Sequence, residues 1–241
     1  MFYNLLLVIY LMLNLNSAVM ALKTLKIPSV LPKLIVFDLD MCLWSPEMYE
    51  LNEIPISAEK NGIKGKLNDE GTMEGITAVK SGTDLIKLFP ASLKILQDFH
   101  NGLLGDDVRI AAASSADTPH AVKIGRAALN ILEVVPGVTV RSVFNRGWPE
   151  EFEGNMQIGR SPPLSSNKAE THFPILKKKT GIDYDKMVFF DDCNWGDHCS
   201  KVAAKCKGVI CQRTPRGLQL REIQLALDAY EKKELALKAE L

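Results

Sequence analysis

Two carboxylates one residue apart, Asp38 and Asp40, stand at the end of the apolar run Leu34-Ile-Val-Phe37. Acids that close repel one another and are relieved by a cation, a proton or both. The pair therefore suits a divalent metal site in which one carboxylate stays free to attack. Groups with related chemistry recur along the chain. Ser114 closes Val108-Arg-Ile-Ala-Ala-Ala113, Lys168 stands ahead of Thr171-His-Phe173, and Asp191-Asp192 end Met187-Val-Phe-Phe190. Each also has a plainer reading: Ser114 as a helix cap, Lys168 as a surface lysine, the double Asp as the cap of the helix that follows. What sets them apart is that Asp38, Ser114 and Asp191 all close apolar runs, and ligands of open parallel sheets bind at the carboxyl ends of the strands.

The elements that must position these groups read as an alternation of strands and helices. Leu34–Phe37, Val108–Ala113, Met187–Phe190 and Val209–Cys211 have the apolar character of strands buried on both faces. Val138–Phe144 alternates like a further strand, and Leu85–Phe89 like a short one. Helices are predicted from Pro90 to His100, after a cap at Asp117, from about Phe173 to Gly181, from Asn194 to Lys207, and from about Gly217 onward. This order predicts an α/β, Rossmann-like parallel sheet with helices on both faces. Glu47 to Gly82 is polar and dotted with glycine and reads as a long loop with, at most, a hairpin; Asn145 to Asn167 reads as an irregular connection or flap. Neither holds enough apolar surface to fold as an independent lid, so the site is expected to be open to phosphate carried on a large surface. Trp44 is expected to pack at the rim of the site.

Composition narrows the partners. With 29 basic and 29 acidic residues among 241, there is no basic excess, so nucleic acid is not expected. The five cysteines show no C-x-x-C spacing and predict neither a disulfide framework nor a zinc knuckle; Cys42 and Cys193 lie near the acids and invite oxidation. Leu5 to Leu13 has the length of a signal-peptide core, and Val19-Met-Ala21 offers a small-residue cleavage pattern, yet no Lys or Arg precedes it. Residues 1–30 are thus read as a hydrophobic extension (signal, anchor or targeting segment) ahead of one domain spanning 31–241. Membrane contact is expected only if residues 3–21 are kept as an anchor.

In their order, Phe37-Asp-Leu-Asp40, Ala111-Ala-Ala-Ser114, Lys168 with Thr171-His-Phe173, and Met187-Val-Phe-Phe-Asp-Asp192 resemble the haloacid dehalogenase superfamily of phosphohydrolases. More closely, they look like the magnesium-dependent phosphatase-1 family, whose members lack a large cap domain. The resemblance implies a Mg²⁺-dependent phosphatase with Asp38 as nucleophile and Asp40 as general acid and base. It implies a metal held by Asp38, Asp40 (through its backbone) and Asp192, with Asp191 orienting its water shell, and phosphoryl oxygens held by Ser114 and Lys168. The substrates it suggests are phosphorylated small molecules or phosphoproteins, phosphotyrosine and phosphorylated sugar adducts among them, in the cytoplasm; the hydrophobic run alternatively points to the secretory pathway, an organelle or a membrane. Cys42 replaces a usual Thr, Ser115 a frequent Arg, Lys168 lies one residue farther from its helix, and 47–82 and 152–163 are longer than in the family. Two other functions share the motifs: a non-catalytic phosphate-binding scaffold and a phosphotransferase.

Overall fold

A strand covered on both faces must be apolar at every position, and β1 (Leu34–Phe37) is buried throughout. The computed structural model describes residues 24–240, in which the elements that follow are β2 (Trp44–Ser45), α1 (Ala58–Asn61), β3 (Gly62–Lys66), β4 (Glu74–Ser81), β5 (Asp84–Leu88), α2 (Pro90–His100), β6 (Arg109–Ser114), α3 (Pro119–Ile131), β7 (Glu133–Val135), β8 (Val138–Thr139), α4 (Val140–Asn145), β9 (Met156–Ile158), α5 (His172–Thr180), β10 (Met187–Asp191), α6 (His198–Lys205), β11 (Ile210–Arg213) and α7 (Leu220–Ala239). The main sheet runs β11-β10-β1-β6-β9 and is parallel throughout.

Side chains alternate across this sheet and divide the core in two. Ile35, Phe37, Ile110, Ala112, Val188 and Phe190 face one layer, which α2, α3, α4 and α7 complete with residues such as Leu96, Ile124, Phe144 and Leu227. Leu34, Val36, Ala111, Ala113, Met187 and Phe189 face the other, where α5 and α6 supply Phe173, Leu176 and Val202. Helices thus lie on both faces, as expected.

Several elements differ from the sequence reading. The stretch from Glu47 to Gly82 holds the hairpin that the reading allowed, β3 and β4, but is more than a loop around it: the two strands join β5 and β2 in a four-stranded antiparallel sheet, order β2-β5-β4-β3. Ile76, Val79 and Ile86 bury into the same core as Phe37, so this sheet extends the domain and is not a separate lid. Val138–Phe144 is mostly helical. Thr139 caps α4 by accepting the Ser142 N–H at 3.2 Å, and Val140, Val143 and Phe144 then fall on one buried helical face. Within the supposed irregular connection lies β9, the edge strand beside β6; buried Asn155 donates to the carbonyls of Ile110 and Phe144 and pins it there. The cap of α3 is Thr118, which accepts the Ala121 N–H at 3.0 Å, and not Asp117. The helix expected from Asn194 starts only at His198, capped by Asp197.

The hydrophobic run Leu5 to Leu13 and the cleavage pattern at Val19 to Ala21 lie outside the described residues. Leu25, Ile27 and Val30 pack against the core, and Lys26 and Ser29 bond to Gln224 and Glu231 of α7, so the end of the expected extension docks on the domain. Among the described residues no helix is long and apolar enough to cross a membrane.

Candidate active site

The carboxyl ends of β1, β6 and β10 meet at one edge of the sheet, and each delivers a polar side chain there. Asp38 follows β1, its N–H donating to the Phe190 carbonyl at 2.9 Å. The chain then turns sharply. Leu43 and Trp44 both donate to the Leu39 carbonyl, with Met41 in the left-handed region at φ 52°. After β10 a second tight turn, with Cys193 at φ 60°, lets Asp191 accept the Cys193 N–H at 2.8 Å and Asp192 accept that of Asn194 at 3.1 Å. These backbone donors fix both carboxylates before any ligand is considered.

Carboxylate oxygens of Asp38, Asp191 and Asp192 lie within 4.8 Å of one another, all three residues buried. Lys168 Nζ sits among them, 2.8 Å from Asp38 Oδ1 and 2.6 Å from Asp191 Oδ2. When all are ionised, three carboxylates and one ammonium leave two negative charges unbalanced, enclosed where water screens them poorly. Burial first, then Asp191 and Asp192, hold the Asp38 carboxyl well above its ordinary range in spite of Lys168. Burial pulls the Lys168 amine down, but Asp191 and Asp38 outweigh it and keep the amine charged. Buried oxygen donors at this spacing, with two charges to neutralise, fit a hard divalent cation and give no place to a thiolate-loving one.

Asp40 does not join the trio through its carboxylate. Oδ1 accepts the Trp44 indole N–H at 2.9 Å and Oδ2 the Met48 N–H at 3.2 Å, while burial pushes its pKa up to about 7. Trp44, fully buried, therefore both packs at the site and orients Asp40.

Ser114 ends β6 beside Asp38, and its carbonyl accepts from Gly159 N at 2.8 Å. His172 Nε2 lies 3.0 Å from the carbonyls of both Ser114 and Gly159, so this nitrogen carries the proton, while Nδ1 meets the Thr171 hydroxyl at 3.1 Å. Burial, then Lys168, lowers the His172 pKa to about 4 and keeps the ring neutral. His172 was visible in the sequence as part of a helix start; its role in tying the β6 end to the Gly159 turn was not.

A cavity of about 460 Å³ opens over these groups, with Asp38, Asp40, Ser114, Lys168 and Asp192 in its walls. Asp38 is 7% exposed, at the floor and not at an open surface. Glu47, Tyr49, Arg160 and Trp195 add to the lining, and none of them was singled out in the sequence. No residue of β3, β4 or β5 reaches this cavity. A larger groove of about 1280 Å³, beside Leu88 and Leu220, holds none of the clustered acids.

A parallel α/β domain with acids and a hydroxyl at adjoining strand ends, and a buried lysine from the segment before α5 set among the acids, is the build of a phosphohydrolase of the haloacid dehalogenase type. The chain belongs to the acid phosphatase family, whose model matches residues 30–233. It is 26% identical to a HAD-like hydrolase superfamily protein of Schizosaccharomyces pombe over 166 residues, 67% of this chain and 76% of that protein. Over 62 residues it is 34% identical to magnesium-dependent phosphatase 1 of Homo sapiens, a stretch covering 26% of this chain and 33% of the relative. Among solved structures, the N-terminal part of a Bacteroides fragilis protein, containing a phosphatase domain and complexed with Mg, aligns at a TM-score of 0.43 and 16% identity, over 84% of this chain and 40% of that one. CbbY from Rhodobacter sphaeroides in complex with phosphate aligns at 0.42 and 12%, over 82% of this chain and all 100% of that one.

Proposed function

We propose that this phosphatase hydrolyses phosphate monoesters through a phosphorylated Asp38, with Mg²⁺ as its cation. The observation that carries this is the buried Asp38 carboxylate, 2.8 Å from Lys168 Nζ and grouped with Asp191 and Asp192. An Asp38 oxygen attacks phosphorus, and the bond from phosphorus to the ester oxygen breaks. That oxygen takes the Asp40 proton and departs as the alcohol. Asp40, now a base, takes a proton from the water that hydrolyses the acyl phosphate, and phosphate leaves. Lys168 and the Ser114 hydroxyl bind and orient the phosphoryl oxygens, the amine also offsetting their charge. Asp38 and Asp192, with Asp191 behind them and the backbone of Asp40, are the groups that would hold Mg²⁺. Mg²⁺ supplies charge neutralisation between an attacking carboxylate and an anionic phosphoryl group.

A raised Asp40 pKa suits this division of labour, since an acid near neutrality is protonated often enough to donate and basic enough to take the proton back. Phosphotyrosine and phosphorylated sugar adducts are the substrates to try first. The test is a panel of phosphate monoesters assayed with and without Mg²⁺, coupled to mass spectrometry of the quenched enzyme. Turnover that needs Mg²⁺ and a phosphate adduct on the peptide containing Asp38 support the reading; Mg²⁺-dependent turnover with the adduct elsewhere refutes the Asp38 step.

A further inference from the structure

Trp195 and Tyr49 are 75% and 45% exposed, large aromatic rings in an otherwise largely polar cavity lining. They come from different segments, the turn after β10 and the short helical turn Met48–Glu50 after β2, and meet at the cavity with ring centroids 6.0 Å apart at 81°. Each has a support in the fold. Trp195 Nε1 donates to Glu47 Oε1 at 3.0 Å. The intervening Met48 is fully buried and seated against α3, where Gly125 leaves it room: a Cβ there would lie 2.3 Å from Met48 Sδ. An indole with its surface in water is hydrophobic area left unburied, and at the mouth of a site such area is covered when ligand arrives.

Which part of the ligand covers it follows from Asp40. Its Oδ2 accepts the N–H of Met48, the residue between Glu47 and Tyr49. On the reading given above, which this inference rests on, Asp40 protonates the leaving group. The aromatic pair is therefore joined to the acid, while Ser114 and Lys168, the phosphoryl-binding groups, come from β6 and the segment before α5.

We propose that Trp195, braced by Glu47 and Tyr49, is the specificity-determining residue of the site. It receives a flat aromatic leaving group, so that phosphate on an aromatic ring is favoured over phosphate on a sugar or open-chain alcohol. The ring contacts are the same whether the ester is a small aryl phosphate or a phosphotyrosyl side chain in a peptide.

The test compares wild type, Trp195→Ala and Trp195→Phe on phenyl phosphate, a phosphotyrosyl peptide, glycerol phosphate and glucose 6-phosphate with saturating Mg²⁺. Trp195→Ala is expected to lower kcat/KM for the aromatic esters at least tenfold more than for the alkyl and sugar esters, chiefly through KM. Trp195→Phe should restore most of that loss, and inhibition by inorganic phosphate should move less than threefold. An excess loss on the peptide alone would assign the ring to a peptide source. Equal losses on all four esters overturn the proposal, as does an excess loss on the sugar ester. Because Trp195 is mostly exposed, these variants fold. A second readout needs no turnover: benzylphosphonate binding should change indole fluorescence in wild type and not in Trp195→Phe, whereas octylphosphonate should bind more weakly. Phosphonate binding of this kind without hydrolysis of any ester would retain the platform and sink the phosphatase reading; no preference for benzyl over octyl sinks the platform.

Discussion

Lys168 Nζ lies 2.8 Å from Asp38 Oδ1, and with Lys168 only 1% exposed the amine and the proposed nucleophile form a buried ion pair. Removing one partner of such a pair strands the other in a medium that solvates it badly. Lys168→Met is thus expected to lower stability by about 3–5 kcal/mol and turnover by at least a thousandfold. Denaturant titration checks the first figure. The loss should shrink as pH falls, because Asp38, its carboxyl already held above the ordinary range, then takes up a proton. A pH-independent loss below about 1 kcal/mol would contradict the pairing.

Asp38→Asn should behave in the opposite way. The amide keeps the shape and removes one charge from an overcharged cluster, so melting in EDTA should be no lower than in wild type, while turnover falls to background. Substantial activity in purified Asp38→Asn would show that another group attacks phosphorus.

The acid role proposed for Asp40 requires its proton, and its pKa is raised to about 7 by burial, against the hydrogen bonds from Trp44 and Met48. For alkyl phosphates, whose leaving group needs the proton, kcat should fall about tenfold per pH unit above that value. Phenyl phosphate should show a shallower fall. Asp40→Asn should abolish the difference between the two pH profiles while lowering alkyl turnover more. Parallel profiles for both esters in wild type would remove Asp40 from the acid role.

Two unbalanced charges make the cation a stabilising ligand as well as a cofactor. At a hundred times its Kd, Mg²⁺ is expected to add about 2.7 kcal/mol, seen as a rise in melting temperature of roughly 5–10 °C. EDTA should silence the enzyme and Mg²⁺ restore it. Calcium, larger and looser in geometry, should raise the melting temperature yet support little turnover. An unchanged melting temperature in Asp192→Asn, with full Mg²⁺ stabilisation, would place the ion elsewhere.

His172 gives a pH signature for the fold itself. Its pKa is lowered from 6.5 to about 4 in the folded protein by burial and then by Lys168. Between those values the unfolded chain binds the extra proton and the folded one does not. The stability this group contributes is therefore complete above pH 6.5 and is lost as pH falls toward 4, a loss of roughly 3 kcal/mol. His172→Gln keeps a donor for the Ser114 and Gly159 carbonyls and has no proton to gain. Urea midpoints at pH 4.5 and 7.5 should differ less in that variant than in wild type.

How much of this was legible in the sequence depended on how far apart the interacting residues lie. β1, β6 and β10 were readable because a strand buried on both faces must be apolar along its whole length, and the acids that follow them mark its carboxyl end. Val138–Phe144 misled because its alternation also satisfies a helical face, and the Thr139 cap decides between them. β3 and β4 were legible only as a hairpin within a loop, and their place in a four-stranded sheet was missed, because Gly62-Ile-Lys-Gly-Lys66 is exposed along much of its length and gains its order from its partner. Three-residue β9 has no pattern to read. At the site, the acids, Ser114 and Lys168 stood out by type, whereas the Trp195–Glu47 bond joins residues 148 apart and left no local trace.

The sheet order has a consequence for how the protein is made. β1 lies at the centre of the sheet, with Leu34 in register with Arg109 on one side and Met187 on the other. Asp38 thus leaves the ribosome long before the strand that brings Asp191 and Asp192 to it, and β1 must wait with one edge unpaired until most of the chain has emerged. Parallel pairing over such separations is slow, and the apolar edge is sticky in the interval. Nascent chains halted before Met187 should therefore bind chaperone and no Mg²⁺, and the acid cluster should form late in folding, after β6 has docked on β1.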